Sequence, residues 1–272
     1  MVTPGMFTTA LRAPKLGSAE AECEDAHLVL PAEAPDTWRT EPVLVAVADG
    51  ASESLLSGPW AALLTTGLLA HVAADPRALD APEAFADALA RAGLAWRPWL
   101  ADYVARREAA GRPIAWYEQP GLDRGPHATA LAARFAPDAD GRTTWAAAAL
   151  GDSCLFHTRG ADLLHAFPLA DAGAFDSSPG LVNALTTDTA LLARHTRTAS
   201  GAAEQGDQFF LCTDALAAWF LREAERGGAP WDLLAEHTRG GDPERFAAWL
   251  EAARAAGEVR NDDVTLVHVD LG

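Results

Sequence analysis

ATALAARFAPDADGRTTWAAAALGDSCLFHTRGADLLHAF, residues 128–167, decides the fold class. Residues 128–135 and 143–150 are apolar runs of strand length, joined by a hairpin-type turn, DADG, at 138–141. A short turn at Gly151 and Asp152 leads into SCLFHT, and Arg159-Gly160 turns again towards DLLHAF. Parallel neighbours need a crossover of about a dozen residues or more, so turns this short join antiparallel strands. The stretch predicts an antiparallel meander and argues against a βαβ series.

Working outward, VLVAVA at 43–48 is continuous and apolar, as in a strand buried on both faces, and HLVL at 27–30 is a shorter strand. A helix-period segment rich in Ala and Leu follows at 60–74, and 81–110 is mostly helical, with a break expected near Pro98. Downstream, 168–206 has weak periodicity and reads as a surface loop with short helical pieces, centred on Ser177, Ser178, Pro179 and Gly180. QFFLCT (208–213) and VTLVHV (264–269) are strands, while 215–226 and 243–256 are helices stopped by Gly227-Gly228 and Gly257. The expected architecture is α+β in a single domain over 1–272: an α/β/β/α four-layer sandwich, two antiparallel sheets flanked by helix pairs.

Composition narrows the function. The chain has 272 residues, 49% apolar and 22% charged, which suits a folded globular protein and not a disordered one. Thirty-eight acidic against twenty-one basic residues give a net charge of −17, which repels phosphate backbones and anionic bilayers. No nucleic-acid or membrane partner is therefore expected, and no apolar run reaches the roughly 18 residues of a membrane span. Cys23, Cys154 and Cys212 form no CxxC pair, and the opening MVTPGMFTTALRAPKLG lacks a secretory layout. Together they predict a reducing, cytoplasmic location.

Acidic residues recur where apolar runs begin or end. Glu24 and Asp25 precede HLVL, Asp49 ends VLVAVA, and Asp152 lies between WAAAAL and SCLFH. Asp214 follows QFFLCT, and Asp262 and Asp263 precede VTLVHV. In antiparallel sheets the exit of one strand and the entrance of its neighbour share an edge, so these carboxylates can converge. Such a cluster repels itself unless a cation joins it, and hard divalent cations favour oxygen donors. Few His or Cys residues accompany the acids, which argues against zinc. The bland alternative is that aspartate is common at turns, and it weakens as each acid directly abuts an apolar run.

Six segments together resemble the metal-dependent serine/threonine protein phosphatases of the PP2C (PPM) family, and of its bacterial branch in particular. ECEDAHLV is similar to the family's opening acidic motif, VAVADGASES to its strand ending in DG, and HATALAARF to the strand carrying G-S/T-T-A. LGDSCLFHTRG resembles the GDSR hairpin, FFLCTDALAAWFL the strand ending in SDG, and RNDDVTLVHV the closing DN-x-T strand. The resemblance implies hydrolysis of phosphoserine and phosphothreonine in proteins by a metal-bridging hydroxide, with Mn2+ or Mg2+ as cofactor, two ions and a third in bacterial members. It implies that Asp49 bridges two ions, that the Gly50 carbonyl holds the first, and that Asp214 and Asp262 hold the second; these three aspartates would be the catalytic set. Asp25 and Glu24 would order metal-bound waters, Asp152 would share a third ion with Asp214, and Asp263 would lie behind the ligands. The implied partners are phosphorylated proteins and a serine/threonine kinase pathway in bacterial signalling, with segment 168–206 as a flap bordering the site.

Three departures stand out. Glu20 occupies the place of the family's phosphate-binding arginine, leaving Arg12 or Lys15 as substitutes. SDG becomes Thr213-Asp214-Ala215, which is tolerable unless the turn demands positive φ. DN becomes Asp262-Asp263, where Asp263 either folds towards solvent or adds charge to the site. These changes motivate an alternative, a catalytically weak or inactive pseudophosphatase acting as a protein-binding module. Ser153 of GDS is read as a turn residue and not an esterase nucleophile, since the only DxxH, Asp162 to His165, lies in the next strand. His127 is read as a surface or structural histidine, the cysteines as small buried groups, the tryptophans as packing, and Arg91, Arg106 and Arg107 as a solvated helical face.

Overall fold

A computed structural model describes residues 5–32, 37–175 and 180–272. The sequence centre placed at Ser177, Ser178 and Pro179 lies outside the described residues. In chain order the elements are β1 (Phe7–Ala13), β2 (Ala26–Leu30), β3 (Val43–Ala48), α1 (Ser57–Ala74), α2 (Pro82–Gly93), α3 (Trp96–Ala109) and α4 (Gln119–Arg124). There follow β4 (His127–Ala128), β5 (Ala130–Pro137), β6 (Thr143–Leu150), β7 (Cys154–Arg159), β8 (Asp162–Phe167), β9 (Val182–Asn183), α5 (Thr189–His195) and β10 (Arg197–Ala203). The chain closes with β11 (Asp207–Cys212), α6 (Asp214–Glu225), α7 (Pro230–Gly240), α8 (Pro243–Ala255) and β12 (Val264–Asp270).

Two five-stranded sheets, with strand orders β1-β12-β11-β7-β8 and β10-β6-β5-β3-β2, are antiparallel throughout. The period-two rule explains how they stack. Val43, Val45 and Val47 of β3 join a core between the sheets with Phe135, Trp145, Phe209 and Val267. Leu44, Ala46 and Ala48, on the other face of the same strand, pack with α1 and α2 through Trp60, Leu64, Leu68 and Phe85. Across the molecule, Phe156, Phe210 and Leu266 turn outward onto Phe220, Leu234 and Phe246 of α6, α7 and α8. The result is the expected α/β/β/α sandwich, and VLVAVA is buried on both faces as its composition predicts.

The structure corrects several local readings. The meander is two hairpins in different sheets: β5 pairs with β6 and β7 with β8, but the chain crosses between sheets at 151–153. A two-residue turn signal marks a reversal without saying which sheet receives the next strand. Segment 168–206 is not loop throughout, because β10 pairs with β6 along its whole length. Its polar, small sequence RTASGAA suits an edge strand with little burial. Pro98 does not break a helix; the break falls at Leu94 and Ala95, and Pro98 sits in the first turn of α3, where proline lacks no hydrogen bond. β1 and α7 have no counterpart in the sequence reading. Arg107 is not a solvated residue, since its guanidinium pairs with Glu118 at 2.6 Å and ties the end of α3 to α4. Trp38 and Trp116 are exposed, so not every tryptophan is packing.

Candidate active site

Strand register carries the acidic motifs to one edge. Ala26 pairs with Ala48, so Asp25 and Asp49 extend neighbouring strands at the same end. Cys212 pairs with both Cys154 and Leu266, which brings Asp152, Asp214 and Asp262 to the corresponding end of the other sheet. A cavity of about 450 Å³ opens there, lined by Asp49, Gly50, Asp152, Asp214 and Asp262 together with Thr129, His127 and Leu181.

The motifs are fastened to one another through Thr129. Its hydroxyl accepts a hydrogen bond from the Asp49 backbone N–H at 2.9 Å and contacts the Ser153 hydroxyl at 2.8 Å. Its own N–H donates to the Asp49 carbonyl at 2.8 Å. The strand end bearing Asp49 is thus clamped from both sides, and Ser153 bonds the Thr129 side chain. Two glycines permit the crowding. A Cβ on Gly50 would stand 2.7 Å from the Glu24 carbonyl, and one on Gly151, where φ is +114°, would stand 2.7 Å from the Thr129 side chain.

Glu24 and Asp263 act as fasteners. Glu24 accepts from the Ser57 and Ser52 hydroxyls, both at 2.5 Å, and from Lys15 Nζ at 2.9 Å, so it pins the turn between β3 and α1. That turn ends at Leu56 with φ +68°, a conformation costly for a residue with a Cβ and held here by its surroundings. Asp263 neither folds to solvent nor lines the cavity. It is buried, and its two oxygens accept from the backbone N–H groups of Lys15 and Glu24, each at 2.8 Å. An asparagine offers one acceptor oxygen where these two donors need two. Ala215 lies inside α6 at ordinary helical geometry, so the turn after Asp214 makes no demand for glycine.

Burial and mutual repulsion set the electrostatics. Burial pushes the Asp25 carboxyl up to about 8, and the charges of Asp263 and Asp214 push the same way, against the Thr213 hydroxyl that donates to its Oδ2 at 2.9 Å. Asp49 is raised well above the carboxylate range by burial and then by Asp25, Asp214, Asp262 and Asp152. Burial also raises Asp214, opposed by Arg260, whose Nη2 donates to Asp214 Oδ2 and, at 3.0 Å, to Asp262 Oδ2. The donor set fits a hard divalent cation: Oδ1 of Asp25 and Oδ1 of Asp214 are buried without a hydrogen-bond partner, and the other donors are carboxylate and carbonyl oxygen. Among the described residues no three His, Cys, Asp or Glu side chains form a group that holds an ion as they stand. Arg260 spans two of the carboxylates, Asp214 and Asp262.

Of the basic residues considered for phosphate binding, Lys15 reaches the cavity wall by donating to Ser52 at 3.0 Å. Arg12 turns to the Asp25 carbonyl and to exposed Glu20, and lines a separate hollow. Sequence reading missed Arg260, although its place two residues before Asp262 was a signal. It also undervalued His127, which lines the cavity and sits between Ser54 Oγ at 3.3 Å and Asn183 Nδ2 at 3.1 Å. Burial lowers its pKa.

Known proteins share this plan. A family profile described as Protein phosphatase 2C matches residues 18–253. The catalytic domain of the serine/threonine protein phosphatase PstP, solved with two manganese ions, is 18% identical with a TM-score of 0.59, covering 98% of this chain and 99% of its own. RsbX in complex with magnesium is 16% identical with a TM-score of 0.50, covering 97% and 94%. The PPM Ser-Thr phosphatase MsPP from Mycobacterium smegmatis, in complex with cacodylate, is 17% identical with a TM-score of 0.50, covering 99% and 100%. No curated protein matches the sequence. With the profile spanning most of its length and the sandwich carrying the motifs in order, the chain belongs to the protein phosphatase 2C family.

Proposed function

We propose that this chain is a metal-dependent protein phosphatase that hydrolyses phosphoserine and phosphothreonine in protein substrates. The observation that carries the reading is the convergence of Asp49, Asp152, Asp214 and Asp262 on one open cavity. In this reading Asp49 would serve two Mn2+ or Mg2+ ions, with the Gly50 carbonyl helping to hold the first and Asp214 and Asp262 the second; Asp152 with Asp214 would hold a third, and Asp25 and Glu24 would order bound waters. When bound, the ions supply a water of lowered pKa and offset charge on the phosphoryl oxygens.

The chain's own residues prepare that chemistry. Half-buried Asp49 resists ionisation among its neighbouring carboxylates, and Asp214 does so less because Arg260 opposes the shift, so added positive charge is favoured at the site. Thr129 fixes the Asp49 backbone, and Glu24 and Asp263 hold the opening motif against the end of the last strand. Asn183 takes a backbone donation from Leu185 on its Oδ1 and therefore turns its amide N–H towards His127 Nε2. That leaves the proton on Nδ1, facing Ser54 on the cavity wall. Lys15 is the candidate for steering phosphate past Ser52. Leu181 brings segment 168–206 to the cavity, which makes it the candidate for substrate selection. Phosphoproteins of a serine/threonine kinase pathway are the proposed partners. Among the described residues no helix is long and apolar enough to cross a membrane.

The test is hydrolysis of a phosphothreonine peptide and p-nitrophenyl phosphate by chelator-treated protein with Mn2+ or Mg2+ titrated back. Activity restored by metal and absent in Asp49→Asn supports the enzyme. Phosphopeptide binding with no turnover at any metal concentration assigns the chain to the binding-module alternative, which Arg260 lying across Asp214 and Asp262 would favour.

A further inference from the structure

Arg260 is a cation built into an acidic site, and its geometry is specific. A single nitrogen, Nη2, donates to Oδ2 of Asp214 and to Oδ2 of Asp262. An arginine that merely orients a carboxylate grips it with two nitrogens, one N–H to each oxygen of the same group. Here one nitrogen draws two different carboxylates towards one point. Asp262 Oδ1 is already committed to the Asp263 N–H at 3.0 Å, which leaves Oδ2 as its freer oxygen. The Arg260 side chain is 56% exposed and stands in the tight turn before β12, where the Asp262 N–H donates to the Arg260 carbonyl at 2.9 Å. It can swing into solvent without opening the core.

We infer that Arg260 competes with a divalent ion for the Asp214–Asp262 pair, so that loading this half of the site exchanges a guanidinium for a metal. The inference rests on the metal-dependent reading above and deepens it. An oxygen lone pair directed at an N–H is not available to a metal, and a divalent ion held by these two carboxylates would stand beside a like charge. The half of the site built on Asp49 and the Gly50 carbonyl contains neither of the oxygens that Arg260 engages. Arg260 therefore weakens ions held through Asp214 and Asp262 more than the ion on the Asp49–Gly50 side, and sets the order of loading: the Asp49–Gly50 side first, the Asp214–Asp262 side second.

Calorimetric titration of Mn2+ into chelator-stripped protein tests this, with Arg260→Gln and Arg260→Lys beside the parent and circular-dichroism melts confirming folded samples. Arg260→Gln is expected to tighten the weaker Mn2+ step by about three- to fivefold, the upper scale of a partly exposed ion pair lost as a competitor. The tighter step should move by less than about twofold, and Arg260→Lys should lie nearer the parent, because it keeps the charge. Appearance of a second Mn2+ step in Arg260→Gln that the parent lacks supports the inference equally. A weaker step that is unchanged or loosened overturns it while leaving the phosphatase reading intact. Equal tightening of both steps also overturns it, since that reports only the lost charge. Failure of parent and variant alike to bind Mn2+ removes the metal-dependent reading, and this inference with it.

Discussion

Asp25→Asn should make the chelator-treated protein more stable and the metal-loaded protein comparatively less so. Asp25 is buried, receives one hydroxyl donor from Thr213, and has its carboxyl pushed up to about 8 from 3.8. At 1.36 kcal/mol per pKa unit, keeping this carboxyl in the folded site, where it stays largely protonated, costs stability of about 5 kcal/mol at pH 7.5 relative to the unfolded chain, where it is ionised. Asparagine removes that cost but brings an amide N–H2 needing acceptors, which reduces the expected net gain to about 2–4 kcal/mol. For a chain of this size that is a rise in melting temperature of roughly 5–15 °C. The sign follows from proton binding. Between pH 4 and 8 the folded parent holds a proton on Asp25 that the unfolded chain has lost, so the parent's stability falls as pH rises through this window. The gap between Asp25→Asn and the parent should therefore widen steadily from pH 5 to pH 8 in EDTA. With saturating Mn2+ the order should reverse, because metal binding favours the ionised carboxylate. Thermal melts across pH, with and without metal, read all of this. A gap in EDTA that stays flat with pH, or a variant less stable than the parent at pH 7.5, would refute the reasoning.

Other expectations are briefer. Thr129→Val leaves the Asp49 N–H and the Ser153 hydroxyl without their shared partner, and should cost about 2–4 kcal/mol in denaturant unfolding; its kcat should fall as well, and a loss of stability below about 0.5 kcal/mol would contradict the clamp. Gly151→Ala places a methyl group 2.7 Å from the Thr129 side chain at φ +114° and should destabilise by about 2–4 kcal/mol, or yield insoluble protein. His268 is fully buried against Phe210 and Thr238, and burial lowers its pKa to about 3. The unfolded chain therefore takes up a proton first on acidification, and the parent should lose about 2 kcal/mol between pH 7.5 and pH 5 through this residue. Comparison of urea unfolding at the two pH values should show that loss reduced in His268→Gln.

Much of the site was legible because metal chemistry leaves local marks. Asp49 after six apolar residues and Asp214 after QFFLCT are each placed by their own strand, so sequence alone puts them at a sheet edge. Glu24 and Asp263 were less legible. Their residue types are those of ligands or solvent-facing acids, yet they hold serine hydroxyls, a lysine and backbone N–H groups. Only the closeness of segments 15–24 and 261–263 reveals that, and they lie more than two hundred residues apart. Arg260 was only half legible: its place two residues before Asp262 marks one partner, but nothing in the sequence marks a second aspartate 46 residues earlier.

The secondary-structure periods, the antiparallel class, the acids flanking the apolar strand runs that carry them and the family could all be read from the chain. These depend on side-chain alternation, turn length and residue order, all local quantities. The tertiary structure alone decided that the chain changes sheets at 151–153, that 197–203 completes a sheet as an edge strand, and which of the acids face the cavity. It also decided which charges meet. Sheet choice is settled by burial on both faces at once, and a carboxylate's role by the few ångströms around it, and both are set by segments distant in the chain.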